Sequence, residues 1–341
     1  MDHIKLVGKH YEVGQKLGHF LKEKKSEFPI KLNKNQLRHG VASLKILEDI
    51  FPEAFEEIKG LTEEIKFNHE LFGSWIMCMG CCLTMRENHN VEIRGCTALG
   101  FIDKNKIYYG RDNDLPPYLK KMSKSIIYEI PKKNKFVLNT SSFINGEEGI
   151  NEYGLIVAMT FVIPKVEDIR PGLNSVFLVR YILENCKTVQ DAIKSLEMLP
   201  ISSSCNILLI DKKKEMVVVE CSPFETNIRY PEKNGNGNSF IVTVNHFSSK
   251  KMKKYDRSKQ NVYSSKARYI TAYNSLKQIN TIDSISYIKE ILSGKYGFMC
   301  QYKNVKFETI WSTIFDPIKQ KMYLAAGNPI ENEYKEFNLF E

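Results

Sequence analysis

At Gly95-Cys96 the chain changes its period. Before this point apolar residues recur at spacings of three and four, the signature of a helix with one buried face; after it they alternate or run in short blocks, as in strands. Leu37, Val41, Leu44 and Leu47 form one such helical stripe, Pro52 suits the first turn of the next helix, and Phe55, Ile58 and Leu61 continue it. Leu71 to Thr84 is more continuously apolar and reads as a buried helix. From Cys96 onward, Ala98–Ile102 and Lys106–Gly110 flank the turn Asp103-Lys104-Asn105, a hairpin.

Further strands are expected at 125–130, 136–142, 155–162, 206–210, 215–220, 240–244, 309–315 and 321–325. Helical inserts are expected at 175–185, 188–196, 267–279 and 285–293, and Thr188 and Asp191 have capping-box spacing. The Asn-Gly-Asn-Gly-Asn run between Pro231 and Ser239 is a surface loop. Helices, then strands, then helices, then strands predict an α+β sandwich with antiparallel sheets covered by helices. Position 95 is the candidate boundary, dividing a helical segment 1–95 from a body 96–341.

Composition excludes several classes. With 43% hydrophobic and 26% charged residues in 341, the chain reads as a globule. The net charge of +9 is spread out, apart from a run at Lys250, Lys251, Lys253 and Lys254, and no aromatic-basic pattern speaks for nucleic acid. The start Met1-Asp2-His3-Ile4-Lys5 lacks the apolar core of a secretory signal. No apolar run reaches the ~18 residues of a membrane span. Eight cysteines without a signal point to reduced thiols and a cytoplasmic setting. Cys78, Cys81 and Cys82 lack a second well-spaced ligand pair for a metal, so no metal and no cofactor is expected.

Cys96 carries the chemistry that the sequence suggests. A peptide bond cut before it would leave an α-amine, of unperturbed pKa about 7.7–8.0, on the residue whose thiol it must activate. Gly95, without a side chain, lets that thiol approach its carbonyl. A hairpin would carry Arg111 and Asp114, in Gly110-Arg111-Asp112-Asn113-Asp114, next to Cys96. Arg111 would then favour the thiolate and Asp114 would hold the amine. Asn245, ending a strand in Thr243-Val244-Asn245-His246-Phe247, is a candidate oxyanion donor. Its neighbour His246 should face the other way, because strand residues alternate. Arg268 offers a second fixed charge.

Together these residues resemble the acyl-CoA:isopenicillin N acyltransferase family, cysteine members of the N-terminal nucleophile hydrolases related to bile salt hydrolases and penicillin acylases. The likeness runs through His10-Tyr11-Glu12-Val13-Gly14-Gln15-Lys16-Leu17-Gly18, Phe51 to Leu61, Gly95-Cys96-Thr97-Ala98 and Gly110 to Asp114. It continues through Gly149-Ile150-Asn151-Glu152-Tyr153-Gly154-Leu155, Asn245-His246-Phe247, Thr309-Ile310-Trp311-Ser312 and Gly327-Asn328-Pro329. The resemblance implies a four-layer αββα sandwich made as a precursor that cleaves itself between Gly95 and Cys96. It implies Cys96 as nucleophile, with Arg111, Asp114, Asn245 and Arg268 in support. Bile salt hydrolases carry an asparagine where this chain has Thr160, the candidate for a second oxyanion donor. The implied reaction is hydrolysis of a linear, non-peptide amide of an N-acyl compound through an acyl-thioester. Acyl-CoA-dependent N-acyl transfer and an unprocessed binding relative are the alternatives. The implied partner is a small N-acyl compound or acyl-CoA and, in a homo-oligomer, further copies of the chain.

Overall fold

The computed structural model describes residues 1–28, 30–79, 81, 95–104, 106–257, 264–279, 283–302 and 307–340. A first strand, β1 (Asp2–Val7), precedes four helices: α1 (His10–Glu23), α2 (Lys34–Ile50), α3 (Pro52–Glu64) and α4 (His69–Cys78). Then come β2 (Gly95–Asp103), β3 (Lys106–Leu115), β4 (Lys124–Glu129), β5 (Phe136–Thr140), β6 (Glu148–Asn151) and β7 (Ile156–Phe161). Helices α5 (Ser175–Asn185) and α6 (Val189–Met198) separate these from β8 (Cys205–Ile210), β9 (Met216–Cys221), β10 (Thr226–Arg229), β11 (Glu232–Lys233) and β12 (Ser239–Thr243). Helices α7 (Ser265–Gln278) and α8 (Ser284–Leu292) lead to β13 (Glu308–Asp316), β14 (Lys321–Ala325) and β15 (Lys335–Asn338).

Two sheets form. One has the order β1-β4-β5-β6-β7-β8-β9-β10, the other β11-β12-β2-β3-β13-β14-β15. Among the described strands every pairing is antiparallel except β1 with β4. Strand alternation sorts the side chains into layers. Ala98, Ile102, Ile107 and Tyr109 meet Val137, Ile150, Leu208 and Val218 between the sheets. Leu99, Phe101, Tyr108 and Val242 face Ala272, Leu276, Ile288 and Leu292 of α7 and α8. On the far side α1 to α6 pack on the first sheet. The result is the expected αββα order of layers.

Local expectations fared unevenly. The Thr188–Asp191 capping box forms, with Asp191 N donating to Thr188 Oγ1 at 3.2 Å and Thr188 N to Asp191 Oδ2 at 3.1 Å. The purely helical reading of the first segment missed β1, where exposed His3 and Lys5 alternate with half-buried Ile4 and buried Leu6. Only half of the α2 stripe turns inward: Leu44 and Leu47 are buried, whereas Leu37 and Val41 are exposed, because Gly40 and Ser43 complete the buried face. Leu71 is also exposed, and of the apolar stretch that follows, 80 and 82–84 lie outside the described residues. The turn Asp103-Lys104-Asn105 forms between paired Asp103 and Lys106, with Lys104 at a φ of 47°; Asn105 lies outside the described residues.

The described residues of segment 1–95 are built into the body. Its first strand pairs with β4 from Asp2↔Lys124 to Val7↔Glu129. Gly14 of α1 and Gly60 of α3 let two helix backbones touch: a β-carbon on Gly14 would sit 2.1 Å from Glu57 O, and one on Gly60 2.0 Å from Tyr11 O. A buried ion network then joins α3 to α5. Arg180 donates to both Glu57 oxygens, at 3.2 and 2.6 Å, and to Glu184 at 3.1 and 3.0 Å, while His10 meets Glu184 at 2.7 Å. No described helix is long and apolar enough to cross a membrane.

Candidate active site

The β2–β3 hairpin fixes the centre of the site. Its register sets Gly95 opposite Asp114, Cys96 opposite Asn113 and Ala98 opposite Arg111. Paired residues share a face of the sheet, so Cys96, Asn113 and Arg111 turn together into the space between the sheets. Asp112 and Asp114 point to the helix side.

On the inner face the Cys96 thiol is nearly closed off, with 3% of its surface exposed. Its Sγ donates to Asn113 Oδ1 at 3.1 Å and accepts from Arg111 Nη2 at 2.9 Å. The same Arg111 nitrogen donates to Asn113 Oδ1 at 2.7 Å. Arg111 Nη1 is anchored on the opposite sheet by Met159 O at 2.5 Å and Glu147 O at 3.3 Å. Burial pushes the thiol pKa up to about 11, against the pull of the Arg111 charge; Asp114 adds to the rise and Arg268 opposes it. Burial also works against the Arg111 charge, but Cys96, Tyr109, Glu148 and Glu147 outweigh it and raise its pKa.

The backbone of Cys96 is held from the helix side. Its N–H donates to Asn245 Oδ1 at 2.8 Å. Arg268, fully buried on α7, donates to Cys96 O at 2.5 Å, Thr97 Oγ1 at 2.8 Å and Asn245 Oδ1 at 2.8 Å. An arginine can only donate, so the amide orientation of Asn245 is settled by this contact. Asn245 Nδ2 uses one hydrogen on Phe161 O at 2.9 Å.

Asp114 reaches this frame indirectly. Its carboxylate accepts from Tyr302 at 2.8 Å and Thr309 at 2.6 Å and lies 4.0 Å from Arg268 Nη1. Burial raises its pKa, with Arg268 pulling the other way. In the uncut chain the Cys96 nitrogen donates to Asn245 rather than to Asp114, which alternation along β3 turns to the other face. Asp112, beside it, accepts from Ser312 Oγ at 2.6 Å, and burial and then Asp114 push its pKa up.

Thr160 lies on β7, between the two residues whose carbonyls bind Arg111 and Asn245. Its hydroxyl hydrogen goes to Val244 O at 2.8 Å, and it accepts from Asn206 Nδ2 at 3.1 Å. A hydroxyl has one hydrogen to give, so the side chain has none left for an oxyanion. His246 pairs through Nδ1 with Ser265 Oγ at 2.8 Å and packs on Tyr269; β12 ends at Thr243, so Asn245 and His246 lie just past the strand rather than alternating within it. Cys78 donates to Gln36 O at 3.2 Å and Cys81 lies 3.4 Å from His39 Nε2; Cys82 lies outside the described residues. Among the described residues no group of three or more His, Cys, Asp or Glu is placed to hold a metal ion.

Sequence reasoning passed over Asn113, although it lies two residues beyond Arg111 in one strand and so on the same face. Tyr302 gave no signal: its hydrogen bond to Asp114 spans 188 residues of sequence.

An αββα sandwich with a buried cysteine at the head of a central strand is the class that fold and site define. The chain belongs to the family described as acyl-coenzyme A:6-aminopenicillanic acid acyl-transferase, whose pattern matches residues 102–331. The match opens inside β2, just past Cys96, and takes in Arg111, Asp114, Thr160, Asn245 and Arg268. Among solved structures the chain is similar to a penicillin V acylase from Agrobacterium tumefaciens, at 16% identity over 72% of this chain and 87% of that one, TM-score 0.48. It is also similar to a conjugated bile acid hydrolase from Clostridium perfringens, solved as a point mutant, at 14% identity over 70% of this chain and 96% of that one, TM-score 0.42. No curated protein matches it.

Proposed function

We propose that this protein is an N-terminal nucleophile enzyme that cuts itself between Gly95 and Cys96 and then hydrolyses the linear amide of an N-acyl compound. Family membership supports an acyl-transferring enzyme. The observation that carries the finer reading is the double hold on Cys96. Arg111 and Asn113 contact its sulfur, while Asn245 and Arg268 fix its nitrogen and carbonyl.

In the first step Sγ forms a bond to the Gly95 carbonyl carbon, the bond to Cys96 N breaks, and the thiol proton passes to that nitrogen. Water then cleaves the thioester, leaving residues 1–95 with a carboxylate and Cys96 with a free amine. In turnover Sγ attacks the substrate amide, and the amine takes the thiol proton and delivers it to the leaving nitrogen. Water resolves the acyl-thioester. Asn245, through its second N–H, is the proposed donor to the oxyanion. Arg111 steadies the sulfur, and Asp114 acts through Arg268. Thr160 enters only as backbone. Transfer to an amine would share the same intermediate and differ only in how far water is excluded. Hydrolysis is preferred because no coenzyme A signature is visible in the sequence.

Intact mass of the purified protein tests the first step: two fragments parted at Cys96 are expected, and a single 39.5 kDa chain with full activity would overturn it. A screen of N-acyl amino acids, penicillins, conjugated bile salts, and acyl-CoA with amine acceptors tests the second. Cys96→Ala should then reduce turnover to background.

A further inference from the structure

Asn113 stands directly opposite Cys96 on β3, and the reaction outlined above gives it no role. Its contacts leave little freedom of interpretation. Arg111 Nη2 lies 2.7 Å from one terminal atom of the amide. A guanidinium has only hydrogens to offer, so that atom is the oxygen. The Cys96 sulfur lies 3.1 Å from the same oxygen, which accepts and cannot donate. The thiol hydrogen must therefore point at Asn113 Oδ1. Arg111 Nη2 closes the triangle by donating to the sulfur at 2.9 Å. Asn113 Nδ2 is buried and has no hydrogen-bond partner among the described residues. Turning the amide over would set its N–H groups against those of Arg111, so the dipole is fixed with its negative end toward the sulfur.

We propose that Asn113 is a positioning residue that stores the Cys96 nucleophile as a thiol, its hydrogen turned to β3, until a leaving nitrogen or the α-amine receives that proton. The inference deepens the reading of Cys96 as nucleophile and rests on it. A thiolate has no hydrogen to give, and a fixed amide oxygen at this distance would face it with like charge. Asn113 thus favours the protonated sulfur, against the neighbouring guanidinium that favours the anion. The other charged groups whose fields reach the sulfur are Arg268 from α7 and Asp114 from β3, both on the helix side of the sheet, and Glu147 just before β6. Since the thiolate is the form that electrophiles and oxidants attack, a thiol held in this way is inert between turnovers. Its proton leaves only as the carbon–sulfur bond forms, to the leaving nitrogen in self-cleavage and to the α-amine in turnover.

The test is a titration of Cys96 itself, on the protein as purified, with intact and cut chains identified by mass. In protein labelled with 13C-cysteine, the Cys96 Cβ resonance is assigned by its loss in Cys96→Ser and followed from about pH 6 to about 10.5, spanning the ordinary thiol range. Asn113→Leu, which removes the acceptor, should lower the midpoint by about one pH unit. Asn113→Asp, which adds a negative charge, should raise it or carry it out of range. If the parent thiol does not titrate in this window, the Asn113→Leu resonance should still do so. Equal midpoints in all three proteins, a shift of both variants in one direction, or no titration in Asn113→Leu would overturn the proposal. A packing role alone would change stability without splitting the two variants in opposite directions. Failure of the nucleophile reading shows separately, as activity that survives in Cys96→Ala.

Discussion

The backbone nitrogen of Cys96 donates to the side-chain oxygen of Asn245 at 2.8 Å, across 149 residues of sequence. That nitrogen is an amide while the chain is whole and would become the amine of the enzyme once it is cut. One acceptor would therefore serve both states. Arg268, bonded to the same oxygen and to the Cys96 carbonyl, would hold the strand end still through the change.

Asn245→Leu should be costly on two counts. It strands the Cys96 N–H, one Arg268 hydrogen and the Phe161 carbonyl, and each buried group left without a partner costs about 1–3 kcal/mol. It also removes the proposed oxyanion donor, a loss of roughly 100- to 1,000-fold in kcat. Urea denaturation and single-turnover kinetics read the two effects apart. Unaltered kcat would remove Asn245 from the mechanism.

Gly95→Val should slow processing more than it harms folding. A β-carbon at this position would lie 2.7 Å from the Phe307 ring tip and 3.3 Å from Asp114 Cβ, so the strand end or the ring must move. Movement at this point shifts the Gly95 carbonyl relative to the Cys96 sulfur, and displacements of about 1 Å cost roughly 100-fold in such reactions. Mass spectrometry over time gives the cleavage rate, and a rate equal to the parent's would show that the approach is not so constrained.

Residues 1–95 should stay attached after cleavage. With β1 in the sheet and Glu57 and His10 bonded into the Arg180–Glu184 network, size-exclusion chromatography of cut protein should give one peak holding both fragments. Arg180→Met leaves Glu57 and Glu184 buried without their cation, at a cost of about 3–5 kcal/mol. Chemical denaturation of this variant should show that loss; an unchanged midpoint would mean the network is energetically neutral.

Acid stability should depend on His246. Burial lowers its pKa from 6.5 to about 4. Between those values the unfolded chain binds a proton that the folded protein refuses. Stability from this site is whole above the unfolded value and drains away as pH falls toward the folded one. In His246→Gln the decline of thermal stability from about pH 6.5 to about 4 should be shallower than in the parent. Parallel curves would refute the assignment.

Much of the fold follows from periodicity that can be read along the chain. The blocks of β7, β8 and β9 are buried throughout and apolar but for Thr160, Asn206 and Glu220, because both of their faces are covered, and α5 stands where the apolar run predicted it. What escaped reading was short or locally ambiguous. Strand β6 sits inside a glycine-rich turn motif, and β1 has one fully buried side chain to announce it.

By itself the sequence determined the alternation of helix and strand, the place of Cys96 at the head of a strand, and the hairpin that returns Arg111 to it. These are local matters, settled by spacing and turn chemistry within a few residues. Only the tertiary structure decided which groups touch the sulfur and which touch the nitrogen. That division depends on the register of β2 against β3, which sends Asn113 inward and Asp114 outward. It depends equally on α7 bringing Arg268 onto the Cys96 carbonyl from 172 residues away. Contacts of that range are set by how the layers pack, and packing leaves no periodic trace in the chain.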